Sequence, residues 1–327
     1  MNKQRLVAFL FVLPCMLLAA CQSIPNLSSW DRSTRDLGTA VAQGFDAAAS
    51  VNADIGNRLK NVDDKDLAAY GERYSSAARD LTKSSQTYEQ VFGAMADYSA
   101  SLAAIAAASA NSSNTVDAVS GTLNQLVSVV GATPLAGAGF ELVKLFASEA
   151  IKVKAASDFS SAVRAADPVV EAVCTLLKND LASLRKTLEF KDETIIATYS
   201  LPYDDRLEYR TALMKRRAAL QKTIRNAATN ESLSSVPETS EIQKVDLLLR
   251  DIDSWYVPFR QEVDQKLAAR AKSEELIVQT IRAVDAWRAS HASLAAAAQA
   301  KRLPEAAYLA TLAIRIRELG TDIRKGK

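Results

Sequence analysis

One histidine, His291, serves the whole 327-residue chain, and cysteine occurs only at Cys15, Cys21 and Cys174. A lone histidine excludes three-histidine zinc sites and paired-histidine metal motifs, and confines any Ser-His-Asp arrangement to the surroundings of His291. That residue falls on a helical seam beside Ala-rich sequence, where a structural histidine at the edge of a core is the reading to expect. Glycine never builds a phosphate loop: Gly137-x-Gly139 is followed by Leu142 where a third glycine would be needed, and no Gly-Lys-Ser/Thr occurs. No EF-hand pattern is present. Carboxylates pair only at Asp204-Asp205, Asp251/Asp253 and Glu274-Glu275, and residues one or two apart on a helix point to different faces. No catalytic residue, metal site or cofactor is expected. Aromatics are scarce too, at 6%, which favours close helix packing through Ala-rich seams over a deep pocket.

Basic residues are missing from one region altogether. None lies between Lys83 and Lys144, and residues 98–116 and 118–140 carry no charge of either sign.

The first residues have the order of a targeting segment. Lys3 and Arg5 precede an apolar run from Leu6 to Leu18, too short to span a bilayer core of ~30 Å. The run ends in Leu18-Ala19-Ala20-Cys21, which resembles the lipobox of bacterial lipoproteins. The resemblance implies cleavage before Cys21, with Leu18, Ala19 and Ala20 read by the signal peptidase and Cys21 lipidated. In that family Asp after the cysteine retains a protein in the inner membrane. Gln22 here implies the outer membrane of a Gram-negative bacterium, with the body facing the periplasm. Two or three fatty chains anchor stably where a single chain binds marginally. An ordinary secretory signal cut at the same place, or an uncleaved helix, are the competing readings.

Cleavage would remove Lys3 and Arg5 and leave 38 Lys and Arg against 38 Asp and Glu. That balance, with the address, argues against nucleic acid as a partner. With Cys21 acylated, only Cys174 remains, so no intramolecular disulfide is possible. Val173-Cys174-Thr175-Leu176-Leu177 places it as a small buried hydrophobe, with a redox or dimer-forming thiol as the alternative.

Residues 21–33 read as a lipidated tether rich in serine, and residues 34–327 as a helical body with a possible subdivision near 200. The fold class expected is all-α: an elongated antiparallel bundle or coiled coil with long heptad helices. Leu67, Tyr70, Tyr74, Ala77, Leu81, Ser84, Tyr88, Val91, Met95, Tyr98, Leu102 and Ile105 hold successive a and d positions, with Ser84 the only fully polar member. Four tyrosines on this seam predict that it is partly wet, since buried hydroxyls need partners. Asp167-Pro168 predicts a helix start or kink, and Gly131–Gly139 and Leu201–Asp205 predict joints. A second heptad run passes through Ile242, Val245, Leu249, Ile252, Tyr256, Phe259 and Val263, with Pro258 expected to kink or break it. Beyond Val263 two registers compete. One continues through Lys266, Arg270, Ser273, Ile277, Thr280, Val284, Trp287, His291 and Leu294, and the other shifts to Leu267, Ala271, Val278 and Ile281. Pro304 opens a last helix, expected to end at Gly320.

The charge-free segment admits three readings: bundle interior, a partner-binding tip, or membrane insertion. Leu126, Val127, Val129, Val130, Leu135 and Phe140 are the candidate contact residues of the latter two. Long helices flanking an apolar hairpin resemble, in architecture alone, the haemolysin E type of pore-forming toxin. The function expected is a non-enzymatic envelope lipoprotein acting as a helical scaffold or adaptor. It would be held by its lipid, work through an envelope protein partner, and possess scope for homo-oligomers. The alternative is a membrane-active protein inserting residues 118–140.

Overall fold

Among the residues described by the computed structural model, every element is helical. They comprise residues 28–60, 65–108, 113–132, 139–154, 156, 159–188, 192–228, 237–296 and 304–325. The helices are α1 (Ser28–Lys60), α2 (Lys65–Ala108), α3 (Ser113–Ala132), α4 (Gly139–Lys154), α5 (Phe159–Thr187), α6 (Asp192–Ser200), α7 (Asp204–Ala228), α8 (Pro237–Ala296) and α9 (Pro304–Lys325). A 3-10 turn, Leu201–Tyr203, joins α6 to α7 with Pro202 in its first turn. Acids in first turns (Asp31, Asp66, Asp192, Asp204) and bases in last turns (Lys60, Lys154, Lys186, Lys325) complement the helix dipoles.

The chain divides into two compact units, interleaved in sequence. The first takes Met1–Ala47, Asp80–Leu188 and Ser273–Thr321; the second takes Ala48–Arg79, Glu189–Lys272 and Asp322–Lys327. One crossing falls between Leu188 and Glu189, and the others fall inside helices.

In the first unit, contacts between α5 and α8 descend along one helix as they ascend the other. Asp167 meets His291, Glu171 meets Arg288, Lys178 meets Asp285 and Arg185 meets Glu274, an antiparallel pair. Helices α1 and α2 approach closely at Gly38, where a Cβ would lie 2.9 Å from Phe92 Cβ, and Ser85 donates to the Ala42 carbonyl at 3.1 Å. Gly320 of α9 lies against Gly44 of α1, so close that a Cβ on Gly320 would stand only 3.0 Å from Gly44 Cα. In the second unit α7 and the start of α8 are antiparallel, joined by Arg210–Asp253 and Arg217–Asp246 over a core of Leu213, Leu220, Val245, Leu249 and Ile252.

Several boundaries differ from the sequence reading. Residues 28–33, expected in the tether, form the start of α1, because Trp30 is 0% exposed and Thr34 is buried beside it. Neither proline interrupts its helix: Pro168 lies inside α5 and Pro258 inside the 60-residue α8. Pro168 and Pro258 are not buried, and Arg164 and Ser254, four residues before them, are exposed. Each carbonyl deprived of a donor therefore belongs to the solvent side, where water can replace the N–H. Helix α9 continues past Gly320 to Lys325, since Gly320 is needed inside the helix for its approach to α1.

The α8 seam keeps its original register. Val263, Lys266, Ser273, Ile277, Thr280, Val284, Trp287, His291 and Leu294 are all buried and Arg270 is half-buried. In the competing register Ala271 is exposed and Leu267, Val278 and Ile281 are only half-buried. On α2 the heptad positions from Tyr74 to Leu102 are buried apart from half-buried Ser84, but Phe92, Ala94, Ala96 and Ser99 are buried as well. That burial is wider than an a/d seam.

Candidate functional site

Leu18, Ala19, Ala20, Cys21, Gln22 and Leu135 lie outside the described residues, as does the side chain of Phe140 in the first turn of α4. The other candidate tip residues do not form an exposed apolar surface. Leu126, Val127 and Val130 are buried and Val129 is half-buried. Helix α3 packs on α4 and α5, and its outer face carries Asp117, Ala118, Gly121, Asn124, Gln125 and Ser128. The missing charge of residues 118–132 thus reflects an apolar face turned inward and, beyond Asp117, an uncharged face turned out. Among the described residues no helix is long and apolar enough to cross a membrane.

The chemistry concentrates instead at the polar positions of the α8 seam. His291, 0% exposed, places Nδ1 2.6 Å from Asp167 Oδ1 and Nε2 2.9 Å from the Tyr98 hydroxyl. An ionised Asp167 only accepts, so Nδ1 carries the proton of the neutral ring and the phenol donates to Nε2. Burial pushes the Tyr98 hydroxyl well above its ordinary value, and the Asp167 charge adds to this. One turn earlier, Trp287 donates from Nε1 to Ser99 Oγ at 3.2 Å, and Ser99 donates to the Met95 carbonyl at 2.8 Å. Trp30 stacks on Trp287 with ring centroids 5.6 Å apart, and its own buried indole N–H has no acceptor among the described residues. The order Asp–His–hydroxyl is that of a hydrolase triad, but a closed-in phenol occupies the nucleophile's place. What the chain can do is fix the histidine tautomer and pin α2, α5 and α8 to one another.

A second constellation lies in the other unit. Lys266 Nζ donates to Asp54 Oδ2 at 2.7 Å, and the Tyr199 hydroxyl donates to the same oxygen at 3.1 Å. Arg58 sits 4.5 Å from the centre of the Tyr199 ring and pairs with Glu262 at 2.6 Å. Burial raises the Asp54 pKa, but the Lys266 hydrogen bond and charge, Arg58 and Tyr199 together outweigh it and hold the carboxyl below its usual value. Arg270, one turn on, pairs with Asp192.

Sequence spacing places Lys266 and His291 on a seam but gives no access to Asp54, Tyr199, Tyr98 or Asp167, which lie 67 to 212 residues away in the chain. The one signal in the sequence is the run of seam tyrosines. Tyr88 and Tyr98 are buried, not wet, and their hydroxyls find Asp180 at 2.5 Å and His291. Cys174 is buried as expected, and burial pushes its thiol pKa upward, disfavouring the reactive thiolate. Among the described residues no group of His, Cys, Asp and Glu is arranged to hold a metal.

No family model, curated protein or solved structure matches the chain.

Proposed function

We propose that the chain is a lipid-anchored envelope protein that acts as a helical adaptor through protein contacts. The carrying observation is the succession of a basic start, an apolar run and Leu18-Ala19-Ala20-Cys21. Two or more acyl chains on Cys21 supply the attachment, since each buried methylene contributes about 0.8 kcal/mol. Long helices supply display surface: α8 alone, at 60 residues, extends for about 90 Å at 1.5 Å per residue. The polar groups of the seams are used in holding helices together, which suits a scaffold. A membrane-active role for residues 118–140 would require α3 to expose Leu126, Val127 and Val130, now buried.

The test is metabolic labelling with an alkyne fatty acid in cells making wild-type chain or Cys21→Ser, together with fractionation of the envelope. Label and outer-membrane recovery in the wild type, both lost in Cys21→Ser, support the anchor. Equal recovery without label removes it. Photo-crosslinkers at exposed positions of α7 and α8 then test the adaptor role. Discrete adducts support that role, and their complete absence in the native envelope counts against it.

A further inference from the structure

A gap in the helical seam points to a ligand site. Ser84 is the one fully polar residue in the α2 heptad series, and it lies between Leu81 and Tyr88, both fully buried. At this place the first unit opens a cleft of about 230 Å³. Asp80, Lys83, Ser84 and Thr87 line it from one face of α2, at i, i+3, i+4 and i+7. Asp180, Ser183, Leu184 and Thr187 face them from α5 at the same spacing. Short hydroxyls thus stand on both helices where an apolar seam would place interlocking side chains.

The cleft opens to solvent at exposed Asp80, Lys83, Ser183 and Thr187 and is closed in at Thr87 and Leu184. Asp80 and Lys83 make no ion pair among the described residues, and Thr87, only 8% exposed, makes no hydrogen bond to them through its side chain. Asp180 is fixed on one oxygen by the hydroxyl of fully buried Tyr88, at 2.5 Å. That bond orients the carboxylate and leaves its remaining acceptor capacity for an occupant.

We propose that this cleft binds a small zwitterion of the free amino-acid class. Two carboxylates, Asp80 and Asp180, suit an ammonium group, Lys83 suits a carboxylate, and the Ser84, Thr87 and Ser183 hydroxyls complete the polar shell. The volume is below the ~300 Å³ at which sites for drug-sized ligands begin, so the occupant is small. Leu184 supplies the only apolar wall among the described lining residues, which suits a short side chain. The inference is independent of the lipid anchor.

The experiment is thermal unfolding of the purified full chain in detergent, titrated with glycine, alanine, serine and glutamate. Sodium acetate and ethylammonium chloride serve as half-ligands, and glucose as an uncharged control. The expected result is a saturable rise in Tm with at least one amino acid and none with the half-ligands or glucose. Lys83→Gln and Asp180→Asn should each weaken the apparent affinity about tenfold, the cost of one charged hydrogen bond. Ser84→Leu restores an apolar seam residue, so it should keep the fold and abolish the shift, whatever the fate of the charge variants. No rise with any amino acid overturns the proposal. So does a rise that survives Ser84→Leu, or one produced equally by glucose or by acetate alone.

Discussion

The side chain of Lys266 is 2% exposed, whereas that of Asp54, whose carboxylate lies 2.7 Å from the ammonium, is 40% exposed. The two partners therefore stand in different solvents. Removing Asp54 takes a carboxylate partner from a buried ammonium, while removing Lys266 leaves a carboxylate that water, Arg58 and Tyr199 still serve.

Asp54→Ala is expected to destabilise clearly, because it removes a carboxylate partner from a buried ammonium. Lys266→Met should cost much less, because its apolar stem already fills the seam. Chemical denaturation of both variants and of the double variant checks this. Equal losses in the two single variants would contradict the asymmetry.

The same pair makes an acid-side prediction. The native Asp54 pKa lies below its unfolded value, so the stabilisation is complete above about pH 4 and is lost as pH falls through the native value. A plot of stability against pH should fall less steeply below pH 4 in Asp54→Asn than in the wild type.

On the alkaline side the sign reverses its origin. Burial, reinforced by Asp180 at Tyr88 and by Asp167 at Tyr98, holds these phenols protonated well past their ordinary value of about 10. Above that pH the unfolded chain binds fewer protons than the native one, so stability falls as pH rises. Phenolate absorbance from Tyr88 and Tyr98, isolated by difference against their Phe variants, should appear only as helical ellipticity disappears. Phenolate from either residue in a fully helical protein would refute it.

Two glycine substitutions of the same chemistry should act oppositely. Gly93 in α2 has open space where a Cβ would go, so Gly93→Ala is expected to stabilise by about 0.5–1 kcal/mol through helix propensity. At Gly320 the added Cβ would press on the backbone of Gly44 at 3.0 Å, and Gly320→Ala should destabilise by about 1–3 kcal/mol. Thermal melts of the pair decide.

Neighbouring residues on α3 test the placement of the uncharged segment. Val127 is 2% exposed and Ser128 is exposed. Val127→Asp should lower stability by several kcal/mol, since an unpaired carboxylate is forced inward, whereas Ser128→Asp should be close to neutral. Similar small effects at both positions would mean that α3 does not bury this face.

Apolar periodicity makes the all-α class and most of the core legible without coordinates. It locates the seam of α2 from Tyr74 to Leu102 and that of α8 from Val245 to Val263. It stalls beyond Val263 because Lys266, Ser273, Thr280 and His291 are polar, and a polar residue joins a core only through a partner. For Lys266 and His291 the partners, Asp54 and Asp167, are remote in sequence, so spacing alone cannot weigh them. Proline is overread for a related reason: its cost depends on whether the deprived carbonyl meets protein or water. The serines of residues 28–33 suggest a tether, but Trp30 and Thr34 pull that stretch into the core. The cleft has one sequence trace, the polar Ser84 in an otherwise unbroken series, while the opposing Asp180, Ser183 and Thr187 carry no signal that would match them to it.

With the anchor proposed at Cys21, the position of Ser28 in α1 would also set a radius of action. From Cys21 to Ser28 are seven residue steps, which even fully extended cover no more than about 25 Å. A body anchored through that cysteine is confined to a shell next to its bilayer, and anything it touches farther away must be met by the folded helices themselves. Lengthening the leader would extend the range over which a partner can be met. Shortening it would press Trp30, and the helix that begins around it, toward the lipid headgroups.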